Sequence, residues 1–344
     1  MMPTINMLSS ADKVKGQGVG SAYLEQVRLV REGLGDEFDI KINDSSYADI
    51  MHYHTIDPKH YVSMLASKKK DAVTVAAVHF LPETLEGSLK LPKIPTKVFY
   101  EYIIKFYKEA DYLVTVNPIF IDKLVAYGID KSKIKYIPNY VSKENFYEMN
   151  EDEILKLKEK HGIAKDKFTV LCAAQLQTRK GIFDFIEIAK QMPDVQFVWA
   201  GGFSFGNITA GYKDVKEILE NHPDNVKFTG IVDRSVMNEL YNIANVMFLP
   251  SYSELFPMII LEAMNCGTPL LLRDLDIYPD ILFDFYLKGN NNEEFINQIN
   301  KLKNDKKFYE TCSSKSRTGS EFYSKENVLR MWEEYYNTIL HHSN

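Results

Sequence analysis

The chain has 344 residues and a formal net charge of −6, with 45% hydrophobic and 26% charged residues. This length suggests two domains, the ordinary composition indicates a globular protein, and the negative charge argues against a nucleic-acid partner. The sequence has neither a signal-peptide pattern nor an apolar run of the ~18 residues that a membrane-spanning helix needs. Its three widely spaced cysteines form neither a zinc motif nor a disulfide pattern, which is typical of the reducing cytosol.

Both halves of the chain alternate short β-rich runs with amphipathic helical segments, which predicts two parallel, doubly wound sheets. The stretch "IPNY" at 137–140 and the polar run 142–152 read as a linker. We therefore expect domains at residues 1–142 and 146–321, with a final helix at 322–344 that packs back onto the first domain. The predicted strands are 4–8, 38–42, 50–54, 72–78, 112–116 and 134–137, then 169–173, 196–200, 226–229, 246–249 and 269–272.

The stretch "KGQGVGSAYLEQV", residues 15–27, follows the first predicted strand. Its glycines, among them Gly16 and Gly18, allow the backbone to approach a ligand closely, but their spacing is not that of the dinucleotide fingerprint. A flexible turn is the alternative. His79 stands where a later apolar strand ends and is a candidate ligand residue, whereas His52 and His54 are interpreted as hydrogen-bonded structural histidines.

Residues 59–108 contain nine lysines and only four acids, and a helix is predicted within them from Thr96 onward. Aromatic residues recur in this helix at spacings of three and four, with lysines beside them, as in helices that lie in the headgroup plane of a membrane. The alternative is an amphipathic helix that packs on a core and exposes a basic face. The predicted membrane-binding residues are Lys90, Lys93, Lys97, Phe99, Tyr102, Lys105, Phe106 and Lys108.

The stretch "AQLQTRKGIFDF", residues 174–185, places Arg179 and Lys180 between a predicted strand and a helix that starts near Ile182. Cations beside a helix N-terminus form a good diphosphate site, because backbone N–H groups and side chains both meet the anion. A solvated basic turn is the alternative interpretation.

The stretch "SELFPMIILEAMNCGTP", residues 253–269, predicts a short apolar helix from near Pro257 to near Cys266, since Pro favours the first turn and Gly the position beyond the last. Glu254 then lies in the preceding loop, where it faces the positive end of the helix dipole. Glu262 projects from the helix itself. Two carboxylates beside an apolar run need partners, which makes both of them candidate site residues.

These segments together resemble the retaining glycosyltransferases of family 4, most specifically in the spacing of Glu254 and Glu262 followed by "EAMNCGTP". The opening "INMLSSADKVKGQGVGSAYLEQV" is similar to the glycolipid galactosyltransferases of Gram-positive bacteria. The resemblance implies an α/β protein of the GT-B fold, with two Rossmann-like, doubly wound domains facing a central cleft. It also implies a peripheral enzyme at the cytoplasmic face of the membrane that moves galactose from UDP-galactose to α-glucosyl-diacylglycerol, in glycolipid and lipoteichoic acid anchor synthesis.

The resemblance further implies a role for each matching position, without any required cofactor or metal ion. Glu262 would accept hydrogen bonds from the ribose hydroxyls, and Arg179 and Lys180 would neutralise the departing diphosphate. Glu254 would face the transferred sugar, and His79 would reach it from the first domain. The catalytic residues would be Glu254, His79, Arg179 and Lys180, and the donor-binding residues Gly16, Gly18, Gln175, Arg179, Lys180, Phe256, Pro257, Met258, Ile259 and Glu262.

Two positions depart from the family's pattern. The family commonly has Gly at position 257 and Arg at position 175, where this chain has Pro257 and Gln175. One backbone N–H is therefore missing, and Arg179 would supply the lost charge. Alternatives to the galactosyltransferase are a UDP-glucose-dependent enzyme acting on the same lipid, a soluble polysaccharide glycosyltransferase, and an inactive module that binds a sugar nucleotide or a lipid.

Overall fold

The computed structural model describes residues 2–11, 18–85, 93–203 and 212–341. It divides into two compact units, which are treated separately below. The first unit contains the described residues up to Tyr140 together with those from Tyr323 onward, and the second unit contains those from Val141 to Phe322. The last helix therefore belongs to the first unit.

The first unit is built on a parallel sheet with the strand order β2-β1-β3-β4-β5-β6. The strand order reverses between β1 and β3, as in doubly wound folds. The strands are β1 (Thr4–Leu8), β2 (Asp39–Ile42), β3 (Ile50–Tyr53), β4 (Val73–Val78), β5 (Tyr112–Thr115) and β6 (Ile134–Tyr136).

Five helices of the first unit lie within the described ranges: α1 (Gly18–Leu34), α2 (Pro58–Lys68), α3 (Lys93–Glu109), α4 (Ile119–Ala126) and the C-terminal helix, Lys325–His341, numbered α13 below. The C-terminal helix packs beside α1, and its Trp332 and Tyr336 join the hydrophobic core over the sheet. The burial of these large side chains fixes the end of the chain on the first unit.

The second unit is built on a parallel sheet with the order β12-β11-β10-β7-β8-β9. From β7 the chain runs outward through β8 and β9 and then returns to β10 on the other side, the Rossmann order. The strands are β7 (Thr169–Ala173), β8 (Gln196–Ala200), β9 (Val226–Gly230), β10 (Val246–Leu249), β11 (Leu270–Arg273) and β12 (Leu287–Gly289). The helices are α5 (Glu151–Lys160), α6 (Ile182–Gln191), α7 (Tyr212–Glu220), α8 (Arg234–Ile243), α9 (Met258–Asn265), α10 (Pro279–Leu282), α11 (Asn292–Asn304) and α12 (Lys306–Phe322).

The strand predictions are confirmed, since each predicted strand lies within one residue of an observed one at both ends. The strand β12, a three-residue strand at the edge of the sheet beside β11, was not predicted. No helix in the described ranges is long and apolar enough to span a membrane.

Candidate active site

The carboxyl edge of the second sheet brings together two loops that lie far apart in the sequence. Residues 174–181 follow β7, and residues 250–257 follow β10. These two strands pair directly, with Val170 opposite Val246, and the strand order reverses between them. Because ligands of parallel α/β sheets bind at such a switch point, this edge is the candidate site.

Gly181 allows the two loops to pack closely. It ends a 3-10 turn at Thr178–Lys180 and has a φ of +76°, in the left-handed region that favours glycine. A Cβ atom at this position would lie 2.4 Å from the Pro250 carbonyl oxygen. A larger residue would therefore push the loop with Arg179 and Lys180 away from the loop with Glu254.

Lys180 and Glu254 form an ion pair between Nζ and Oε1. The pair is largely buried, since the side chains are only 13% and 7% exposed. Burial lowers the pKa of Lys180, while the charge of Glu254 opposes this shift. The structure thus joins two predicted catalytic residues that are far apart in the sequence, and it gives each a charge partner in the absence of substrate.

Arg179 braces the second loop. Its Nη1 donates to the Ser253 carbonyl at 3.0 Å, and its own carbonyl accepts from the Tyr252 N–H at 2.8 Å. Its buried Nε has no hydrogen-bond partner among the described residues. One guanidinium therefore fixes the loop and keeps a further donor available at the site.

Glu262 lies in α9 and is 7% exposed. Its Oε2 accepts from the Tyr241 hydroxyl at 2.8 Å, and its Oε1 lies 3.5 Å from the Arg234 Nη2. Burial and the nearby carboxylate raise the pKa of Tyr241 well above its usual range, so the hydroxyl stays protonated and donates. These two partners, both from α8, orient the carboxylate and compensate its charge.

The helix that carries Glu262 begins and ends as predicted to within a residue. Pro257 is extended (φ −66°, ψ 132°) and precedes the helix, and the Ile260 N–H already bonds to its carbonyl at 3.1 Å. Met258 and Ile259 are the first helical residues, so their N–H groups have no acceptor within the helix. The N–H that proline lacks falls at the position just before the helix, and buried Phe256 precedes it.

Gln175 occupies a crowded part of the first loop. Its Oε1 accepts from the Gln177 Nε2 at 2.8 Å. The next loop along the sheet, after β8, approaches so closely that a Cβ atom on Gly201 would lie 1.9 Å from the Ala174 carbonyl oxygen. At a φ of +142° this position also requires glycine for its backbone conformation.

In the first unit, His79 directly follows β4 and lines a cavity of about 20 Å³. Its ring lies 6.0 Å from that of His54, which lies 4.1 Å from that of His52. Burial lowers the pKa of His79 to about 4, and burial together with the charge of His79 lowers that of His52 to about 3. His79 is therefore a neutral imidazole at neutral pH. His52 Nδ1 shares a hydrogen bond with the Tyr336 hydroxyl at 2.9 Å, so its interpretation as a hydrogen-bonded structural histidine is confirmed. For His54 that interpretation is wrong among the described residues, since both of its buried ring nitrogens lack a partner there and its ring instead packs against those of Tyr23 and His52.

The glycine loop of the first unit is described only in part. Gly16 lies outside the described residues, and Gly18 is the first residue of α1. Its assignment to donor binding stays a prediction.

The predicted membrane helix is α3, and one of its assignments is wrong. Phe106 is only 1% exposed and packs on Tyr53, Tyr61 and Tyr102, because the face that carries it covers the core. Tyr102 is half-buried and donates to the Ile56 carbonyl at 2.6 Å. In this part of the helix the alternative interpretation, a core-facing amphipathic helix, describes the structure.

The remaining predicted membrane residues lie partly inside and partly outside the described part of the chain. Lys97, Lys105 and Lys108 are exposed, and Phe99 is partly exposed. Lys90 lies outside the described residues, and the side chain of Lys93 lies outside them as well. Val98, which was not among the predicted membrane residues, is 62% exposed beside Lys97.

Several residues of the candidate site were not predicted from the sequence. Arg234 and Tyr241 hold Glu262, and Arg273 and Tyr278 lie in or beside the loop that follows β11. None belongs to a local motif. The sequence shows only that each is a charged or phenolic residue near the end of a strand or on a helix, which does not by itself predict a site residue. Their partners become evident only when the strands are placed side by side.

Comparison with known proteins places the chain in a family. Residues 153–319 match the family Glycosyl transferases group 1, and residues 40–145 match Glycosyltransferase Family 4. The chain is 44% identical to the alpha-galactosylglucosyldiacylglycerol synthase of Streptococcus pneumoniae, over 96% of this chain and 88% of that protein. It is 28% identical to the processive diacylglycerol alpha-glucosyltransferase of Acholeplasma laidlawii, over 84% of each.

The solved structures that resemble this one share its fold at low sequence identity. Anabaena Alr3699/HepE in complex with UDP-glucose superposes with a TM-score of 0.79 at 16% identity, covering 98% of this chain and 100% of that one. The sucrose-phosphate synthase of Thermosynechococcus elongatus gives a TM-score of 0.77, also at 16% identity, covering 98% and 99%. The two Rossmann-like units therefore constitute a GT-B fold. With a relative of 44% identity that aligns along nearly its whole length, the chain belongs to the family 4 glycosyltransferases.

Proposed function

We propose that this protein transfers galactose from UDP-galactose to α-glucosyl-diacylglycerol, with retention at the anomeric carbon, at the cytoplasmic face of the membrane. The observation that carries the proposal is the 44% identity to a protein named alpha-galactosylglucosyldiacylglycerol synthase, over 96% of the chain. A relative of lower identity is named as a diacylglycerol glucosyltransferase, which supports a glycerolipid acceptor. The product would be a diglycosyl-diacylglycerol of the kind that anchors lipoteichoic acid.

The donor would bind at the carboxyl edge of the second sheet. Glu262 is a buried acceptor held by two partners, which suits it to the ribose hydroxyls of the nucleotide. Lys180, Arg179 and the free N–H groups at the start of α9 supply positive charge for the diphosphate. A solved structure of the same fold is titled as a complex with UDP-glucose, which supports a UDP-sugar as the donor.

The transfer would proceed by attack on the same face of the sugar from which the diphosphate leaves. The bond between the anomeric carbon and the diphosphate oxygen breaks, the acceptor hydroxyl oxygen forms the new bond, and its proton passes to the departing phosphate. Glu254 is tied to Lys180 in a buried pair, which suits it to hold sugar hydroxyls rather than to act as a free nucleophile. The cations act most strongly as charge develops on the leaving phosphate.

The outer faces of α2 and α3 would contact the lipid surface. The exposed Lys97, Lys105 and Lys108 of α3 would each contribute about 1 kcal/mol near an anionic surface. Val98 on α3 and Val62 on α2 are 62% and 65% exposed, and they offer apolar area for shallow insertion. The two helices are joined by the ring contact of Tyr61 and Tyr102, with centroids 6.0 Å apart.

The test is a donor and acceptor screen with the purified protein. UDP-galactose and UDP-glucose are each supplied with glucosyl-diacylglycerol, diacylglycerol or a soluble glucoside in anionic mixed micelles. We expect the highest kcat/KM for UDP-galactose with glucosyl-diacylglycerol, and a product whose terminal galactose is released by an α-galactosidase. Glu254→Gln, which removes a charge without changing the shape, should lower kcat, whereas Glu187→Gln on the exposed surface of α6 should not.

The outcomes separate the alternatives. Preference for UDP-glucose would make the protein a glucosyltransferase, for which the 28% identical relative provides the precedent. Preference for the soluble glucoside would indicate a polysaccharide acceptor. UDP binding without transfer to any acceptor or to water would indicate an inactive binding module and would refute the proposal.

A further inference from the structure

We propose that Tyr278 is a positioning residue of the donor site. Its hydroxyl donates a hydrogen bond to the Glu254 carboxylate when Lys180 turns from Glu254 to a bound diphosphate. The inference rests on the proposed donor site and extends it by one residue that the sequence analysis did not assign.

Tyr278 carries a buried hydroxyl group. The residue is 0% exposed, and its hydroxyl has no hydrogen-bond partner in the part of the chain that the structure describes. Its backbone is fixed, because its N–H bonds to the Leu275 carbonyl at 3.0 Å and its carbonyl accepts from the Leu282 N–H at 2.7 Å. A buried unpaired hydroxyl costs about 1–3 kcal/mol, so a phenylalanine would serve the resting fold at least as well.

Tyr278 lies in the loop next to the one that carries Glu254. The residue ends the loop that follows β11, and β11 pairs with β10, whose own following loop carries Glu254. The two loops leave neighbouring parallel strands at the same edge. Burial raises the pKa of Tyr278 well above its usual range and the Glu254 charge raises it further, so the phenol stays protonated and can donate a hydrogen bond.

Donor binding would disturb the partner that Glu254 has in the resting state. Lys180 is held by Glu254, yet it also stands in the loop proposed to meet the diphosphate. UDP brings no sugar hydroxyls to Glu254. If Lys180 turned to the diphosphate of bound UDP and nothing replaced it, a carboxylate that is 7% exposed would remain uncompensated, at a substantial cost. A hydrogen bond from the Tyr278 hydroxyl would compensate the carboxylate and leave the lysine charge to the diphosphate.

The experiment compares Tyr278→Phe with Tyr286→Phe as a matched control. The Tyr286 ring lies 5.8 Å from that of Tyr278, and the residue is partly exposed. Thermal unfolding without ligand, UDP affinity by calorimetry and kcat/KM are measured for each. We expect Tyr278→Phe to keep or raise the unliganded melting temperature, and to weaken UDP binding about fivefold to tenfold, the effect of one hydrogen bond. The control should resemble the parent in all three.

A double-mutant cycle with Glu254→Gln tests the mechanism. In the Glu254→Gln background, Tyr278→Phe should cause little further loss of UDP affinity, because the buried charge that the hydroxyl would serve is gone. Equal UDP affinity and turnover in Tyr278→Phe and the parent would overturn the inference while leaving the proposed function standing. A lower unliganded melting temperature in Tyr278→Phe with unchanged UDP affinity would assign the hydroxyl to the resting fold and overturn it too. A parent that binds no UDP would overturn the donor site itself.

Discussion

At the scale of single residues, the two buried carboxylates of the proposed donor site differ in their partners. Glu254 is paired with a lysine that a diphosphate would compete for, whereas Glu262 is held by Tyr241 and Arg234 on one helix. The first arrangement suits a carboxylate whose partner changes during the reaction. The second suits a fixed acceptor, in keeping with the role in ribose binding that the family resemblance implies.

Replacing Glu262 by Gln should weaken UDP binding. The amide keeps the shape and one acceptor oxygen but loses the charge that strengthens hydrogen bonds from the ribose hydroxyls. Since hydrogen bonds to a charged group contribute about 1.5–3 kcal/mol, the dissociation constant should rise about 10-fold to 100-fold. Calorimetric titration with UDP measures it, with Glu187→Gln as the surface control. Unchanged affinity in this variant and in Glu262→Ala would remove Glu262 from the nucleotide site.

The sequence predicted these carboxylates but not the side chains that hold them. The spacing of Glu254 and Glu262, the proline before the helix and the glycine after it are all local features. Tyr241 and Arg234 reach Glu262 because α8 packs against α9. Tyr278 lies next to the loop with Glu254 because β10 and β11 pair. A single sequence carries no local signal for such contacts. Likewise, the spacing of Phe106 and Tyr102 indicated an apolar face on α3 but not that the face covers the core.

At the scale of elements, Arg273 at the end of β11 connects several loops of the second unit. Its buried guanidinium donates to the Pro250 carbonyl at 2.9 Å, to the Asn290 carbonyl at 3.0 Å and to the Asp184 carboxylate at 2.9 Å. It also lies 3.8 Å above the ring centroid of Tyr252. One side chain thus fixes the loop after β10, the start of α11 and the first turn of α6.

Replacing Arg273 by Met should destabilise the second unit. The change leaves Asp184 and the carbonyls of Pro250 and Asn290 without this donor, and removing one partner of a buried pair costs about 3–5 kcal/mol. Urea denaturation measures the loss in free energy of unfolding. Lys288→Met is the matched control, because Lys288 pairs with Asp274 at 3.0 Å but is 60% exposed, and such a surface pair contributes about 1 kcal/mol or less. Similar losses in the two variants would contradict the bracing role of Arg273.

The α3 surface gives a second prediction at this scale. Changing Lys97, Lys105 and Lys108 to Glu should release the protein from vesicles rich in phosphatidylglycerol, because attraction becomes repulsion at an anionic surface. Vesicle sedimentation at several salt concentrations measures binding, which should weaken with salt for the parent, since exposed charges are screened over about 8–10 Å. The control changes the exposed Lys131, Lys133 and Lys135 of the same unit to Glu, with the same change in net charge.

Apolar insertion is tested separately from charge. Val98→Ser should weaken vesicle binding with little dependence on salt, because it removes exposed apolar area and no charge. Phe106→Ser is unsuitable, since Phe106 belongs to the core. If the triple reversal on α3 and the one at Lys131, Lys133 and Lys135 release the protein equally, net charge rather than the α3 surface governs binding.

Periodicity predicted the elements well because the strands are short apolar runs bounded by turn residues, and because parallel strands are buried on both faces. The edge strand β12, "LKG", is too short and too polar to show either feature. The order of the strands was not predicted. It follows from which crossover helices pack on which face of the sheet, and that depends on contacts between distant segments.

At the scale of the whole molecule, the two units differ in their histidines. The first unit buries His52 and His54 within its core, with His79 beside them. The second contains only His161 and His222, and neither is buried. The neighbouring rings of Tyr23, Trp332 and Tyr336 carry no negative charge that would stabilise an imidazolium. Protonation of the histidines should therefore affect the first unit above all.

The sign of this effect follows from the pKa values. Burial lowers the pKa of His52 to about 3 and of His79 to about 4, and it lowers that of His54 well below its usual 6.5. Below pH 6.5 the unfolded state then binds more protons than the folded state, so stability is present above pH 6.5 and is lost as the pH falls toward 4. Each histidine contributes a slope of up to about 1.4 kcal/mol per pH unit.

The two tryptophans allow the units to be followed separately, since Trp332 lies in the first unit and Trp199 in the second. In Trp199→Phe, urea unfolding followed by Trp332 fluorescence should show a free energy of unfolding that falls steeply between pH 6.5 and 5. In Trp332→Phe, the transition reported by Trp199 should change less over that interval. Adding His54→Leu to Trp199→Phe should reduce the slope by up to about 1.4 kcal/mol per pH unit, because one titrating group is removed. Both ring nitrogens of His54 lack a partner among the described residues, so the change breaks no hydrogen bond recorded there. An unchanged slope would mean that His54 does not bear the predicted share of the acid sensitivity.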